Sequence, residues 1–436
     1  MKAHGETRKS VIEHTDTKAR RHKEKGPVSL KAQTGHMNTR SAEKYFAKPK
    51  PARQGTALSL SGGGYRAALF HLGATRRLNE LGILHQIDTI SSVSGGSIFA
   101  AHLATRIRWP LSGPVPANEW ESLVARPFHK FTKRDIRTGS LLKRVLPWNW
   151  FDSDAEIDAL TRQYEKHLTD LKLVELPLRP RFILCSTDLA FGVNWLFERH
   201  RMGDHQLGYR SPPPSDWTLA RAVAASSCFP PVFRPLQVKL PAPAFRGGAT
   251  SAAERTKATS DLRINDGGNY DNLGLEPVWK DHAILFCSDG GRAFNVEPDK
   301  GFLDRLRRYT EILYNQVAVV RKRWLLSGFT RNELDGTYWG CGSSPERYGN
   351  YPGYSKPFAK NVISQIRTDL DTFSDDEIAV LENHGYLLAD AAIKTHVSGF
   401  LNLTDAPLNI PYPDLMNEDK VAIALKDSHK TKIFGH

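Results

Sequence analysis

Between Ala57 and Arg106 the chain reads strand, small-residue turn and helix twice over. Ala57-Leu58-Ser59-Leu60 is a strand-like run, and Ser61-Gly62-Gly63-Gly64 follows it. A helical pattern then extends from Tyr65 to Leu81, with Ala68, Leu69, Leu72, Leu78 and Leu81 close to helical spacing. Gly82 stands where a helix C-terminal glycine belongs. A second strand, Ile87 to Val93, runs into Ser94-Gly95-Gly96, and another helix is expected over Ser97–Arg106. Strands and helices that alternate in this way build a parallel sheet with helices packed on it, so an α/β fold with a parallel-rich central sheet is expected.

Further strands are suggested by Phe182–Cys185, Leu262–Ile264 and Ala283–Cys287, and further helices near 155–171, 217–226, 302–324 and 375–393. The stretch 237–260, rich in Pro, Gly, Ala and Ser, reads as an inserted loop. No internal repeat is visible. A chain of 436 residues can bury a large core. The expected organisation is a basic tail over 1–54, one α/β domain over 55–400 with excursions at 126–151 and 237–260, and a C-terminal extension over 401–436.

Charge separates the tail from the rest. Residues 1–54 carry 14 Lys and Arg against 5 Asp and Glu, a net of +9 out of +13 for the whole chain. With few periodic apolar positions, the tail reads as disordered and solubilising; attachment to anionic lipid or nucleic acid is the alternative. It contains no sequence-specific nucleic-acid motif, and no nucleic-acid partner is expected. The four cysteines, Cys185, Cys228, Cys287 and Cys341, form no CxxC pair, which argues against zinc and against a disulfide scaffold. No apolar run has the length of a membrane-spanning helix or of a secretory h-region. A reducing, cytoplasmic setting is expected, with peripheral attachment at a membrane left open.

Three short patterns carry chemistry. A serine between strand and helix, with small residues two positions to either side, has the form of a nucleophile elbow: Ser92-Val93-Ser94-Gly95-Gly96. Ser92 replaces the usual first glycine, and is expected to tolerate backbone angles that glycine takes freely. The following helix places its positive end near Ser94. Gly62-Gly63-Gly64, between strand and helix, bares backbone N–H groups that suit an oxyanion, and the Gly95 amide adds another. The same glycines fit GxGxxA, a dinucleotide-binding pattern, but the next strand ends in serines without the acid that a ribose needs. No cofactor is therefore expected. None of the 16 histidines has an obvious catalytic context. Asp266, at a strand end before Gly267-Gly268, does, and a carboxylate can orient and deprotonate a serine directly. Taken singly, each pattern is also an ordinary turn.

Together, Gly62-Gly63-Gly64-Tyr65-Arg66, Ser94 in its elbow and Asp266-Gly267-Gly268 resemble the patatin-like phospholipase family. Ser186-Thr187-Asp188-Leu189, Ala225 to Phe233 and Asn269 to Gly274 extend the resemblance, which reaches from about 56 to 292. It implies a Ser94–Asp266 dyad, an oxyanion hole at Gly62, Gly63, Gly64 and Gly95, no metal requirement and a fatty-acyl ester substrate at a phospholipid membrane surface. Arg66 either attracts a phospholipid headgroup or braces the loop against a carboxylate.

The segment 126–151 holds seven Lys and Arg, one acid and five aromatics. It suits a lipid interface, or a helix whose aromatics pack inward while its charges stay solvated. The leading functional expectation is a lipid acyl hydrolase of phospholipase A type. A regulated membrane-degrading effector and a non-catalytic lipid-binding protein on the same fold are the alternatives.

Overall fold

The computed structural model describes residues 53–145, 154–230, 232–292, 294, 298, 301–397, 399 and 401–430. The basic tail up to residue 52, Trp148, Trp150 and Phe151 of the aromatic segment, Pro231, and 431–436 lie outside the described residues.

The repeated unit is present. Strand β1 (Thr56–Leu60) leads into helix α1 (Gly64–Glu80), and β2 (Thr89–Val93) into α2 (Gly95–Arg106). Both strands are buried at every position, which is why they read as unbroken runs of apolar and small residues. There follow β3 (Arg181–Asp188), β4 (Val193–Glu198), β5 (Met202–Asp204), β6 (Gly208–Arg210), α3 (Leu219–Ser227), β7 (Leu236–Gln237) and β8 (Arg263–Asp266). The last main elements are β9 (Ile284–Asp289), α4 (Phe302–Thr330), β10 (Asp335–Gly340) and α5 (Asp375–His396).

One mixed sheet organises these strands, in the order β10-β9-β1-β2-β3-β4-β5-β6. The five strands from β10 to β3 are parallel, and β4, β5 and β6 extend the sheet as an antiparallel wing. Helices flank the sheet, so the fold is α/β with a parallel centre. Helices α1 and α5 cross with their backbones in contact. A Cβ on Gly73 would lie 1.9 Å from the Glu382 carbonyl oxygen, and one on Gly385 would lie 2.0 Å from that of Phe70.

The pairing around β3 sets up the site. Its residues Ile183–Asp188 pair with β4 along one edge. Along the other, β2 runs parallel as far as Val93 opposite Cys185. Strand β8 arrives on that same edge from the opposite direction and ends with Asp266 opposite Ser186. Two strand ends thus meet head-on, one register step apart.

One expectation changes, further strands join those expected, and one of the two readings of 126–151 holds for its described part. The stretch 237–260 is not all loop: Ala252–Thr259 is helical, started by a capping box in which Ser251 and Glu254 bond each other's backbone. Strands β4 to β6 and β10 carried too little alternation to be read; β10 pairs closely enough that a Cβ on Gly336 would sit 2.1 Å from the Leu285 carbonyl oxygen. In the described part of 126–151, Phe128 and Phe131 are buried, with Phe131 edge-on to Tyr65 at 5.5 Å, so these aromatics pack inward. Residues 401–430 lie against α1 and α5: Arg77 donates to the Ala406 and Pro407 carbonyls, and the Tyr412 amide donates to Asn383.

Candidate active site

Ser94 stands between β2 and α2 with φ 51° and ψ −116°, one of two non-glycine residues at positive φ among the described residues. A serine held there is under strain that the surrounding structure must impose. The restraint is visible. The Ser94 amide donates to Ser226 Oγ at 3.0 Å, Ser97 Oγ lies 2.8 Å from the same oxygen, and Ser226 Oγ donates to the Cys185 carbonyl at 2.6 Å. The space is tight as well. A Cβ on Gly95 would lie 2.2 Å from the Gly64 carbonyl oxygen, and one on Gly96 would lie 2.3 Å from that of Leu60. Ser92 needs no glycine-like angles, contrary to expectation: it lies inside β2 outside the left-handed region, and its hydroxyl donates to the Ile183 carbonyl at 3.1 Å.

Asp266, the last residue of β8, is almost fully buried. Its Oδ1 accepts the Gly268 amide at 2.7 Å, while Oδ2 has no well-aligned partner. Burial pushes its pKa up to about 7, against the lowering effects of the Gly268 amide and of the Ser94 side chain. Ser94 follows the end of β2 and Asp266 ends β8, and these two strand ends adjoin along one edge of β3. Among the described residues, no histidine hydrogen-bonds to Ser94. His71 is held elsewhere, between Ser288 Oγ and the Ser61 carbonyl, and burial lowers its pKa to about 4.

The glycine run lies against the elbow. A Cβ on Gly62 would come 3.1 Å from Ser94 Cβ and 2.3 Å from Asn272 Oδ1. The Gly62 amide itself donates to the Asn272 carbonyl at 3.0 Å, so this residue contributes open space rather than a free donor. Gly63 and Gly64 have φ of 140° and 56°, which only glycine adopts without cost. The amides of Gly64 and Gly95 open their respective helices and have no acceptor four residues back.

Arg66 corrects the headgroup expectation. It is fully buried, donating to the backbone carbonyls of Gly290, Ser364 and Ile366 at 3.1, 3.3 and 2.8 Å. Burial lowers its pKa to about 10. It braces the glycine loop, and it does so on carbonyls rather than on a carboxylate.

Of two further neighbours, one lay in a quoted stretch without a role and the other escaped the sequence reading. Tyr314 on α4 donates to Asn272 Oδ1 at 3.0 Å, and burial with the nearby Asp266 and Asp271 charges raises its pKa well above the ordinary value. Its hydroxyl lies so close to Gly268 that a Cβ there would be 2.1 Å away. Asn272 belongs to the stretch after the aspartate motif, whereas Tyr314 comes from a helix with no motif at all.

A search of curated proteins returned no match. Several solved structures are similar. Human GIVD cytosolic phospholipase A2 is 13% identical with TM-score 0.38, over 59% of this chain and 51% of that one. Its complex with methyl gamma-linolenyl fluorophosphonate is 13% identical with TM-score 0.45, over 79% and 59%. VipD from Legionella pneumophila is 15% identical with TM-score 0.35, over 79% and 67%. The chain spans about half the length of the first of these. The patatin-like phospholipase family model matches residues 58–279, half of the chain, and takes in the glycine loop, the serine elbow and Asp266. On that match the chain belongs to the patatin-like phospholipase family.

Proposed function

We propose that the chain is a lipid acyl hydrolase that cleaves fatty-acyl esters of membrane phospholipids, with Ser94 as nucleophile and Asp266 as its base. The observation that carries this reading is the pairing of a strained serine with a buried carboxylate whose pKa is about 7. A base of that strength suits proton transfer near neutrality. As Ser94 Oγ attacks the ester carbonyl, its proton passes to Asp266. The Gly63, Gly64 and Gly95 amides then face the developing oxyanion, aided by the N-terminus of α2. Collapse of the tetrahedral intermediate releases the alcohol, which takes the proton from Asp266. Water deprotonated by Asp266 then attacks the acyl-serine, frees the fatty acid and returns the proton to Ser94.

The test is to incubate the protein with a fluorophosphonate probe, map the labelled peptide by mass spectrometry, and measure fatty-acid release from phosphatidylcholine vesicles. Label on Ser94, with release abolished in Ser94→Ala, is expected. An unlabelled Ser94 and no fatty acid above the Ser94→Ala background would favour a non-catalytic lipid-binding protein.

A further inference from the structure

Helix α4 carries an apolar stripe on its outward side. Phe302, Leu306, Tyr309, Leu313 and Val320 are 70, 48, 56, 69 and 58% exposed. Spacings of four, three, four and seven residues put them on one face, over a length of about 27 Å. Such a stripe ordinarily faces a core. Here the core-facing side is already taken by other residues. Tyr314 bonds Asn272, Arg321 reaches Asp271, Glu276 and the Tyr270 carbonyl, Lys322 pairs with Asp289 at 2.9 Å, and Leu325 is fully buried. The helix is anchored by one face, and the other presents hydrocarbon to solvent.

The same helix reaches the candidate active site through its anchored face. Phe229, 44% exposed, stands edge-on to Tyr314 at 5.8 Å, and Tyr314 is the residue of α4 that touches the Asp266 neighbourhood. Phe294 is exposed too, with the Arg308 guanidinium 3.9 Å over its ring. Residues 302–330 contain six Lys and Arg against two Asp and Glu, and with Arg321 and Lys322 paired to core carboxylates four cations still face two acids. An exposed apolar stripe on a cationic helix is the composition that lies flat in a phospholipid headgroup region.

We infer that the outward face of α4, with Phe229 and Phe294, is the surface by which this chain docks onto a phospholipid bilayer. The inference rests on the lipid acyl hydrolase reading and deepens it by naming the face that meets the substrate. A bilayer, rather than a protein, is the occupant that accounts for three features at once: the stripe is apolar, its helix is cationic, and that helix carries Tyr314 beside Asp266, in the site whose proposed substrate is held in a membrane. It also moves the lipid contact away from 126–145, where Phe128 and Phe131 point into the core.

The experiment measures vesicle co-sedimentation of the full chain on a Ser94→Ala background, using phosphatidylcholine vesicles with and without phosphatidylglycerol. Leu306→Asp/Leu313→Asp should bind at least tenfold more weakly than the Ser94→Ala parent, and phosphatidylglycerol should strengthen the parent's binding. With Ser94 restored, the double variant should hydrolyse a soluble short-chain ester at the parental rate and melt at the parental temperature. Equal vesicle binding by parent and variant overturns the inference, as does a parent that binds no vesicles. A parent that self-associates in solution and is dispersed by the double substitution also overturns it, because the stripe is then a contact between copies. If the double variant loses its melting transition, Leu313→Ser alone is used, and a several-fold loss of binding is expected. Because binding is read without turnover, an inactive Ser94 would refute the hydrolase reading and leave the docking result standing.

Discussion

The hydroxyl of Ser226 accepts the amide of Ser94 at 3.0 Å. The same residue reaches the Cys185 carbonyl through its side chain, and its own carbonyl accepts the Gly267 amide at 3.3 Å. One residue of α3 therefore ties the serine elbow, β3 and the turn after Asp266 together. It is a positioning residue that acts through Ser94 and Asp266.

Ser226→Ala should lower kcat about tenfold and leave KM nearly unchanged, because each lost hydrogen bond is worth about 1 kcal/mol and binding surfaces are untouched. Steady-state kinetics on a soluble ester, with the rate of fluorophosphonate labelling, checks this. A parental labelling rate would show that the elbow holds its geometry without the clip.

Ser94→Ala and Asp266→Asn should each reduce ester hydrolysis about 10³-fold or more, and the double variant should be little worse than either. The two side chains are proposed to act as one unit: the carboxylate has no proton to take without the serine, and the serine keeps its proton without the carboxylate. Initial rates for the three variants decide between this and independent roles, which would multiply the losses. An Asp266→Asn protein with near-parental turnover would place the base elsewhere.

The pKa of about 7 at Asp266 gives two pH dependences. A base must be ionised, so kcat should rise as pH passes through about 7, and Asp266→Asn should lose that limb. For stability the sign is opposite. The folded value lies above the unfolded value of about 3.9, so the folded chain holds this proton more tightly. The stabilisation is fully present below the unfolded value and is lost as pH rises through about 7. Asp266→Asn should therefore gain on the parent between pH 4 and pH 8, by up to about 4 kcal/mol. Thermal melts of both proteins across that range measure the difference.

Gly62→Ala should cut kcat about 100-fold while the fold survives. The residue has no positive φ, so the backbone accepts alanine, but the new methyl would press on Asn272 Oδ1 at 2.3 Å and Ser94 Cβ at 3.1 Å. Circular dichroism and soluble-ester kinetics test this. Parental turnover would mean that the space in front of Ser94 is wider than this packing implies.

Much of the fold was legible locally. The helices α1 and α2 and the strands β1 and β2 follow from apolar spacing and from small residues at the turns, which are properties of neighbouring residues. Ser94, the glycine run and Asp266 stood out for the same reason: tight strand-to-helix turns admit few residue types, so they leave a mark in the chain itself. The short wing strands β4 to β6 and the edge strand β10 left little, because their pairing partners rather than their own pattern hold them in place.

What the sequence by itself determined was an alternating α/β chain with three small-residue turns able to carry ester chemistry. Only the tertiary structure decided that β2 and β8 meet end to end along one edge of β3, which puts Ser94 beside a residue 172 positions away in the chain. It also decided that Arg66 faces three carbonyls instead of solvent, and that Tyr314 closes over Gly268. Those outcomes depend on burial and on contacts between distant segments, and neither is a property of any stretch of residues read alone.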